Sequence, residues 1–201
     1  MARLICALAA LMCLAAPSEV RAQAWQGSVL FGTTPGSALD RRAAALDTLE
    51  VGSGFTWGLQ VSRLVTPHLA AELSWMTHWS GLEIGTAAGK AHLFEMTVNQ
   101  LHGNAVFRLR DPAARTRPFV FAGLGTTFLN ALGQPSESRL SFGMGAGAEV
   151  FFSKWGGVRA QFRYKPTPLG DEDAGDFCDP FGFCQGTLQQ IELSAGLTMR
   201  F

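Results

Sequence analysis

The stretch LSFGMGAGAEVFF at 140–152 sets Leu140, Phe142, Met144, Ala146, Ala148 and Val150 on one side of an extended chain. Ser141, Gly143, Gly145, Gly147 and Glu149 fall on the other. A repeat of two residues, with no sign of 3.6, makes the segment a strand. The pattern recurs in GFTWGLQVSRL, where Phe55, Trp57, Leu59 and Val61 oppose Thr56, Gly58, Gln60 and Ser62. It recurs again in LAAELSWMTHW, GVRAQFRYK and the final LSAGLTMRF. Strands are expected at about 25–33, 53–65, 69–79, 93–110, 117–129, 139–152, 157–165 and 188–201. Their connectors alternate in length: 66–68, 111–117 and 153–156 are short, whereas 34–52, 80–92, 130–138 and 166–187 are long. Short turns at one end and long loops at the other describe an up-and-down barrel with an even number of strands.

Alternation alone does not say which face is outside. A soluble, lipocalin-like barrel would carry its apolar side chains inward around a ligand. The glycines decide the matter: three on one face weaken a water-exposed strand, yet suit the crowded lumen of a narrow barrel. Composition agrees, because charged residues make up 16% of the chain against roughly 25% in soluble domains. Beyond residue 22 no run of 18 apolar residues occurs, so entry into a membrane would have to be by strands. The expected fold is all-β: a closed eight-stranded antiparallel up-and-down transmembrane barrel.

With the apolar face on lipid, Glu72, Glu95, Glu149 and Glu192 fall in the lumen with Arg108, Arg159, Arg163, Lys165 and Arg200. Pointing Arg or Lys at lipid near the midplane would cost about 2–4 kcal/mol each, so register is strongly fixed. Paired inside, opposite charges offset one another's desolvation and plug the lumen. The strand from 93 breaks phase, since Phe94, Met96 and Val98 are followed by Leu101, Ala105, Phe107 and Leu109. A bulge near Asn99 and Gln100 would restore the face.

Residues 1–22 have the form of a secretory signal peptide: Arg3, an apolar stretch from Leu4 to Ala16, a Pro17 break, and Val20 and Ala22 before the cleavage point. That leaves 23–201 as one barrel domain, with Cys178 and Cys184 as the cysteines of the mature chain. Outside the cytosol they can close as a disulfide; free thiols or half of a metal site are the rival reading. Asp171, Glu172, Asp173, Asp176 and Asp179 beside them suit a divalent cation or, more simply, a solvated loop. DRRAAALDTLE at 40–50 could form a short helix over the barrel mouth. A net charge of zero argues against nucleic acid as a partner, and no residue set calls for a cofactor or resident metal. His78, Ser80 and Glu83 in THWSGLE offer a base beside a hydroxyl, though the same residues are expected by chance near a loop.

RPFVFAGLGTTF, FGMGAGAEVFF and the terminal LSAGLTMRF resemble the bacterial outer-membrane β-barrel domain family, small eight-stranded barrels similar to the membrane domain of outer membrane protein A. The resemblance covers essentially the whole mature chain. It implies a monomer in the outer membrane with periplasmic termini and extracellular long loops, in contact with lipid and lipopolysaccharide, in a structural or surface-interaction role without catalysis. It also implies that Leu193, Leu197, Met199 and Phe201 serve as the signal read by the barrel-assembly machinery. Met199 stands where that family commonly has an aromatic. With the chain ending on Phe201, no periplasmic cell-wall-binding domain is expected to follow. Some resembling barrels are lipid A esterases, the enzymatic alternative for His78 and Ser80, although the surrounding motif is missing.

Overall fold

The computed structural model of the protein describes residues 25–35, 37–38, 49–51, 53–86, 89–131, 136–169 and 186–201. The expected signal peptide, Cys178 and Cys184, and the acidic segment 171–179 lie outside the described residues. The described residues form ten strands: β1 Trp25–Thr34, β2 Ser37–Ala38, β3 Leu49–Val51, β4 Gly54–Leu64, β5 Leu69–Thr86, β6 Gly89–Arg108, β7 Thr116–Ala131, β8 Glu137–Phe151, β9 Gly156–Leu169 and β10 Gly186–Arg200. Eight of them form a closed antiparallel ring in the order β1, β4, β5, β6, β7, β8, β9, β10, which returns to β1. The short β3 pairs with β5 above that ring, and β2 pairs with β3.

The ring closes through Trp25 N to Phe201 O at 3.1 Å and Phe201 N to Trp25 O at 3.0 Å, so the last strand leaves no open edge. At the short-turn end, Val65 N donates to Leu69 O at 2.8 Å. Ser153 Oγ there accepts from Trp155 N and Gly156 N at 3.2 and 2.8 Å, a side-chain turn of the kind serine favours.

The expected eight strands are all present, and the long connectors are shorter than the sequence suggested. The segment 80–92 is largely strand, because β5 runs on to Thr86 and β6 starts at Gly89. Leu49 and Glu50, placed in a possible helix, belong to β3 and pair with Ile84 and Glu83; residues 40–48 lie outside the described residues. Pairing beyond the barrel rim allows these extensions where polarity alone suggested loop.

The faces divide as the glycine argument required. Phe31, Phe55, Leu59, Leu73, Leu124, Met144, Phe162 and Leu197 are exposed on the outside, while Gln60, Glu72, Ser74, Gln161 and Thr198 are buried within. A continuous apolar surface of this size does not face water in a stable monomer. It is the lipid-facing band of a transmembrane barrel, which overturns the soluble, inward-apolar alternative.

The phase of β6 is a correction. No irregularity falls at Asn99 and Gln100; the register shift lies between Leu82 and Glu83 of the paired strand, opposite Phe94 and His92. Alternation then runs unbroken from Val98 to Arg108, with Val98, Gln100, His102, Asn104, Val106 and Arg108 buried inside. Val98 and Val106 occupy luminal positions because apolar packing is needed there too, and this is what imitates a phase break in the sequence. Glu95 shares the outward parity of Leu101 and Phe107 and is exposed, so it is not a lumen charge. It lies close to the β5–β6 extension, where the band ends and water can solvate a carboxylate.

The luminal glycines make room for aromatic rings. Gly145 and Gly147 of β8 stand directly across from Phe121 and Phe119 of β7, both buried. A Cβ on Gly145 would meet the Phe162 carbonyl and lie 2.6 Å from Phe121 Cζ. The rings lie over bare backbone, an arrangement that pins strand register. Gly145→Ala is expected to lower stability by about 1–3 kcal/mol, as overpacking does. Urea unfolding in detergent micelles, followed by tryptophan fluorescence, checks it; an unchanged midpoint would show that the ring moves freely aside.

Candidate functional site

The lumen concentrates the polar chemistry of the molecule. Seven of the nine charges expected there are buried inside the ring: Glu72, Arg108, Glu149, Arg159, Arg163, Lys165 and Glu192, each at most 2% exposed. Arg200 is half-buried at the short-turn mouth, where Nη1 donates to Pro112 O at 2.9 Å, and Glu95 is outside. Arg117, at the junction of the turn expected at 111–117 and the strand expected at 117–129, joins the interior at 1% exposure. Its parity with Phe119 and Phe121 along β7 was the available signal, obscured because those inward residues are themselves apolar.

Near the short-turn end the network centres on Glu149, across from Arg117 on β7 and Arg159 on β9. Glu149 Oε2 lies 2.6 Å from Arg117 Nη2 and 3.5 Å from Arg108 Nε, and Oε1 lies 3.5 Å from Arg159 Nη1. Gln26 Nε2 donates to Glu149 Oε1 at 2.6 Å, while Gln26 Oε1 accepts from Arg108 Nη2 at 3.2 Å and Arg117 Nη2 at 3.1 Å. One carboxylate and one amide thus tie β1, β6, β7, β8 and β9 together across the barrel.

A middle layer joins Arg159 Nη1 to Glu72 Oε2 at 2.8 Å. Asn104 Nδ2 donates to Glu72 Oε1 at 3.2 Å and to Ser74 Oγ at 3.1 Å. Ser74 Oγ also accepts from Arg163 Nη1 at 3.1 Å. Above it, Lys165 Nζ lies 2.7 Å from Glu192 Oε2 and donates to Gln100 Oε1, whose amide nitrogen donates to Gln190 Oε1 at 2.9 Å. Guanidinium groups lie over luminal rings throughout: Arg117 and Arg200 over Phe151 at 4.5 and 3.2 Å, Arg159 over Phe119 at 4.3 Å and Arg163 over Phe121 at 4.9 Å. In a desolvated interior such contacts are worth about 2 kcal/mol. Aromatics therefore share with carboxylates the work of stabilising these cations.

His78 and Ser80 both have inward parity on β5. His78 Nδ1 is 3.2 Å from Thr56 Oγ1, which is 3.1 Å from Thr34 Oγ1, and Ser80 Oγ has no hydrogen-bond partner among the described residues. The two side chains share no hydrogen bond. A second histidine, His102, lies 2.8 Å through Nε2 from Ser141 Oγ, which accepts from Thr127 Oγ1 at 2.8 Å. Among the described residues no group of His, Cys, Asp and Glu could hold a metal ion. Of the terminal pattern, Leu193, Leu197, Met199 and Phe201 are all exposed on the outer face.

The ring, its apolar exterior and its charged, filled interior define a small outer-membrane-type β-barrel. Solved structures share that fold. The chain is 11% identical to the outer membrane protein OprG from Pseudomonas aeruginosa, with 90% of this chain and 97% of that chain covered and a TM-score of 0.59. Neisserial surface protein A is 13% identical over 88% of this chain and 96% of that one, at 0.56. The N-terminal barrel domain of Pseudomonas aeruginosa OprF is 16% identical over 90% and 100%, at 0.52. No family model and no curated protein matches the chain.

Proposed function

We propose that this protein is an integral outer-membrane barrel whose role is structural or surface-directed, with the lumen acting as a cross-braced plug and no catalytic site. The observation that carries the reading is the Glu149 hub, which bridges five strands through groups that solvent does not reach. Eight strands enclose an interior just wide enough for side chains to fill, and these side chains hydrogen-bond across it. In this reading the short turns and both chain ends face the periplasm, and the long loops meet the exterior. The outer surface contacts lipid and lipopolysaccharide as a monomer, and the barrel-assembly machinery reads Leu193, Leu197, Met199 and Phe201 during insertion.

Cell fractionation, paired with gel mobility of boiled and unboiled samples, tests the placement. Enrichment with outer-membrane markers and faster migration of the unboiled form are expected, and a freely soluble periplasmic product would sink the proposal. Planar-bilayer recording tests the plug: the expected result is no sustained conductance, and a steady open-channel current would show that the braced lumen yields.

A further inference from the structure

We infer that the barrel interior binds one compact monovalent anion, of halide size, beside Arg163. Among the described residues five cations, Arg108, Arg117, Arg159, Arg163 and Lys165, are at most 1% exposed, and three carboxylates, Glu72, Glu149 and Glu192, are buried with them. The cluster therefore carries an excess of two positive charges out of reach of solvent. An uncompensated buried charge is strongly destabilising, and arginine does not escape by losing its proton.

One of the two surplus charges belongs to three arginines that share two carboxylates, and the other has a distinct location. Arg108, Arg117 and Arg159 all contact Glu149, Arg159 also contacts Glu72, and Lys165 is paired with Glu192. Arg163 forms no ion pair among the described residues. Its direct contacts are the Nη1 hydrogen bond to Ser74 and the ring of Phe121; Glu192 stands across from it on β10 but is paired with Lys165, which leaves Arg163 Nε and Nη2 buried without a hydrogen-bond acceptor. Two further donors lie on the same inward row of β9. Arg159 Nη2 has no acceptor, and neither has Gln161 Nε2. The Gln161 amide is oriented by its own contacts: Oε1 accepts from Arg159 Nε at 3.0 Å and Gln60 Nε2 at 3.5 Å, which turns the NH2 group away as a donor.

Gln60 Oε1 and Asn104 Oδ1 are the unpaired amide acceptors in these layers. Each can be served by water. Water also satisfies donors, but it leaves the surplus charge in place, whereas one monovalent anion satisfies donors and cancels one of the two surplus charges. Size sets the class. Side chains fill the interior, and Phe119 and Phe121 occupy the wall beside Arg159 and Arg163, so the smaller the anion the less these walls must move, which favours a halide over a polyatomic oxyanion.

The test uses the barrel refolded in detergent. Crystals grown in sodium bromide are expected to show an anomalous peak within hydrogen-bonding distance of Arg163, absent from Arg163→Met. In solution, unfolding in sodium chloride should be about tenfold slower than in sodium gluconate of equal ionic strength, once chloride exceeds its dissociation constant about tenfold. Arg163→Met should abolish that difference while keeping heat-modifiable migration; if the variant fails to fold, the salt comparison on the unaltered protein stands alone. No luminal bromide peak, or one that survives in Arg163→Met, would overturn the inference, as would equal unfolding rates in the two salts. None of these outcomes bears on the membrane location or the plug.

Discussion

Glu149→Gln is expected to destabilise the barrel by about 3–5 kcal/mol, the range for removing one partner of a buried ion pair. The substitution keeps the volume and most hydrogen-bonding capacity of the side chain and removes only its charge. Three guanidinium groups within 3.5 Å of the carboxylate would then lose their common counter-charge, leaving Arg108 and Arg117 to share Gln26 Oε1 as a neutral acceptor. Equilibrium unfolding in urea from detergent micelles measures the loss. A double-mutant cycle identifies its source: adding Arg117→Gln to Glu149→Gln should restore part of the stability, because it removes the cation held most closely, at 2.6 Å. Should the double variant be as unstable as the sum of the single changes, the penalty would come from lost packing and not from charge.

Phe162→Arg is expected to cost about 2–4 kcal/mol, the range for a cation placed on the lipid face near the bilayer midplane. The next residue is Arg163, fully buried, so the same side chain is required at one position and excluded at its neighbour. That contrast separates the face assignment from any general sensitivity of β9. Refolding into lipid vesicles, with the fraction folded read from unboiled gels, checks the effect. A variant that folds as well as the parent would mean that Phe162 does not meet acyl chains.

Much of this architecture was legible in the residues because lipid imposes a simple rule on one face. No such rule governs the other. GVRAQFRYK alternates cleanly, and that alternation puts Arg159, Arg163 and Lys165 on the inner face, where they are buried. Gly145 and Gly147 marked the crowded side of β8, although the reason, the rings of Phe121 and Phe119 lying over them, depends on the partner strand and cannot be read along the chain. The same partner effect hid Arg117, whose inward neighbours are phenylalanines, and produced a false bulge at Asn99, where luminal valines imitate a change of phase. A bulge expected at Asn99 also reverses Glu95, because every residue before the bulge then takes the opposite face. The pairing of charges was legible as a category only, since the meeting of Gln26, Arg108, Arg117 and Glu149 depends on four strands converging from distant parts of the sequence.

Phe31, Phe55 and Trp79 form a stacked row on the outer wall, with ring centroids 6.3 and 6.0 Å apart. On the opposite rim Arg63 lies 5.5 Å over Trp25, with Trp155 and Phe201 exposed nearby at the short-turn end. Strand β4 joins the two rows from Phe55 to Arg63, and at about 3.3 Å per residue with a tilt near 40° their vertical separation is about 20 Å. The cylinder thus carries its own ruler: it matches a thin hydrocarbon slab and would force a thicker one to pinch around it, at a modest energy for each ångström of misfit.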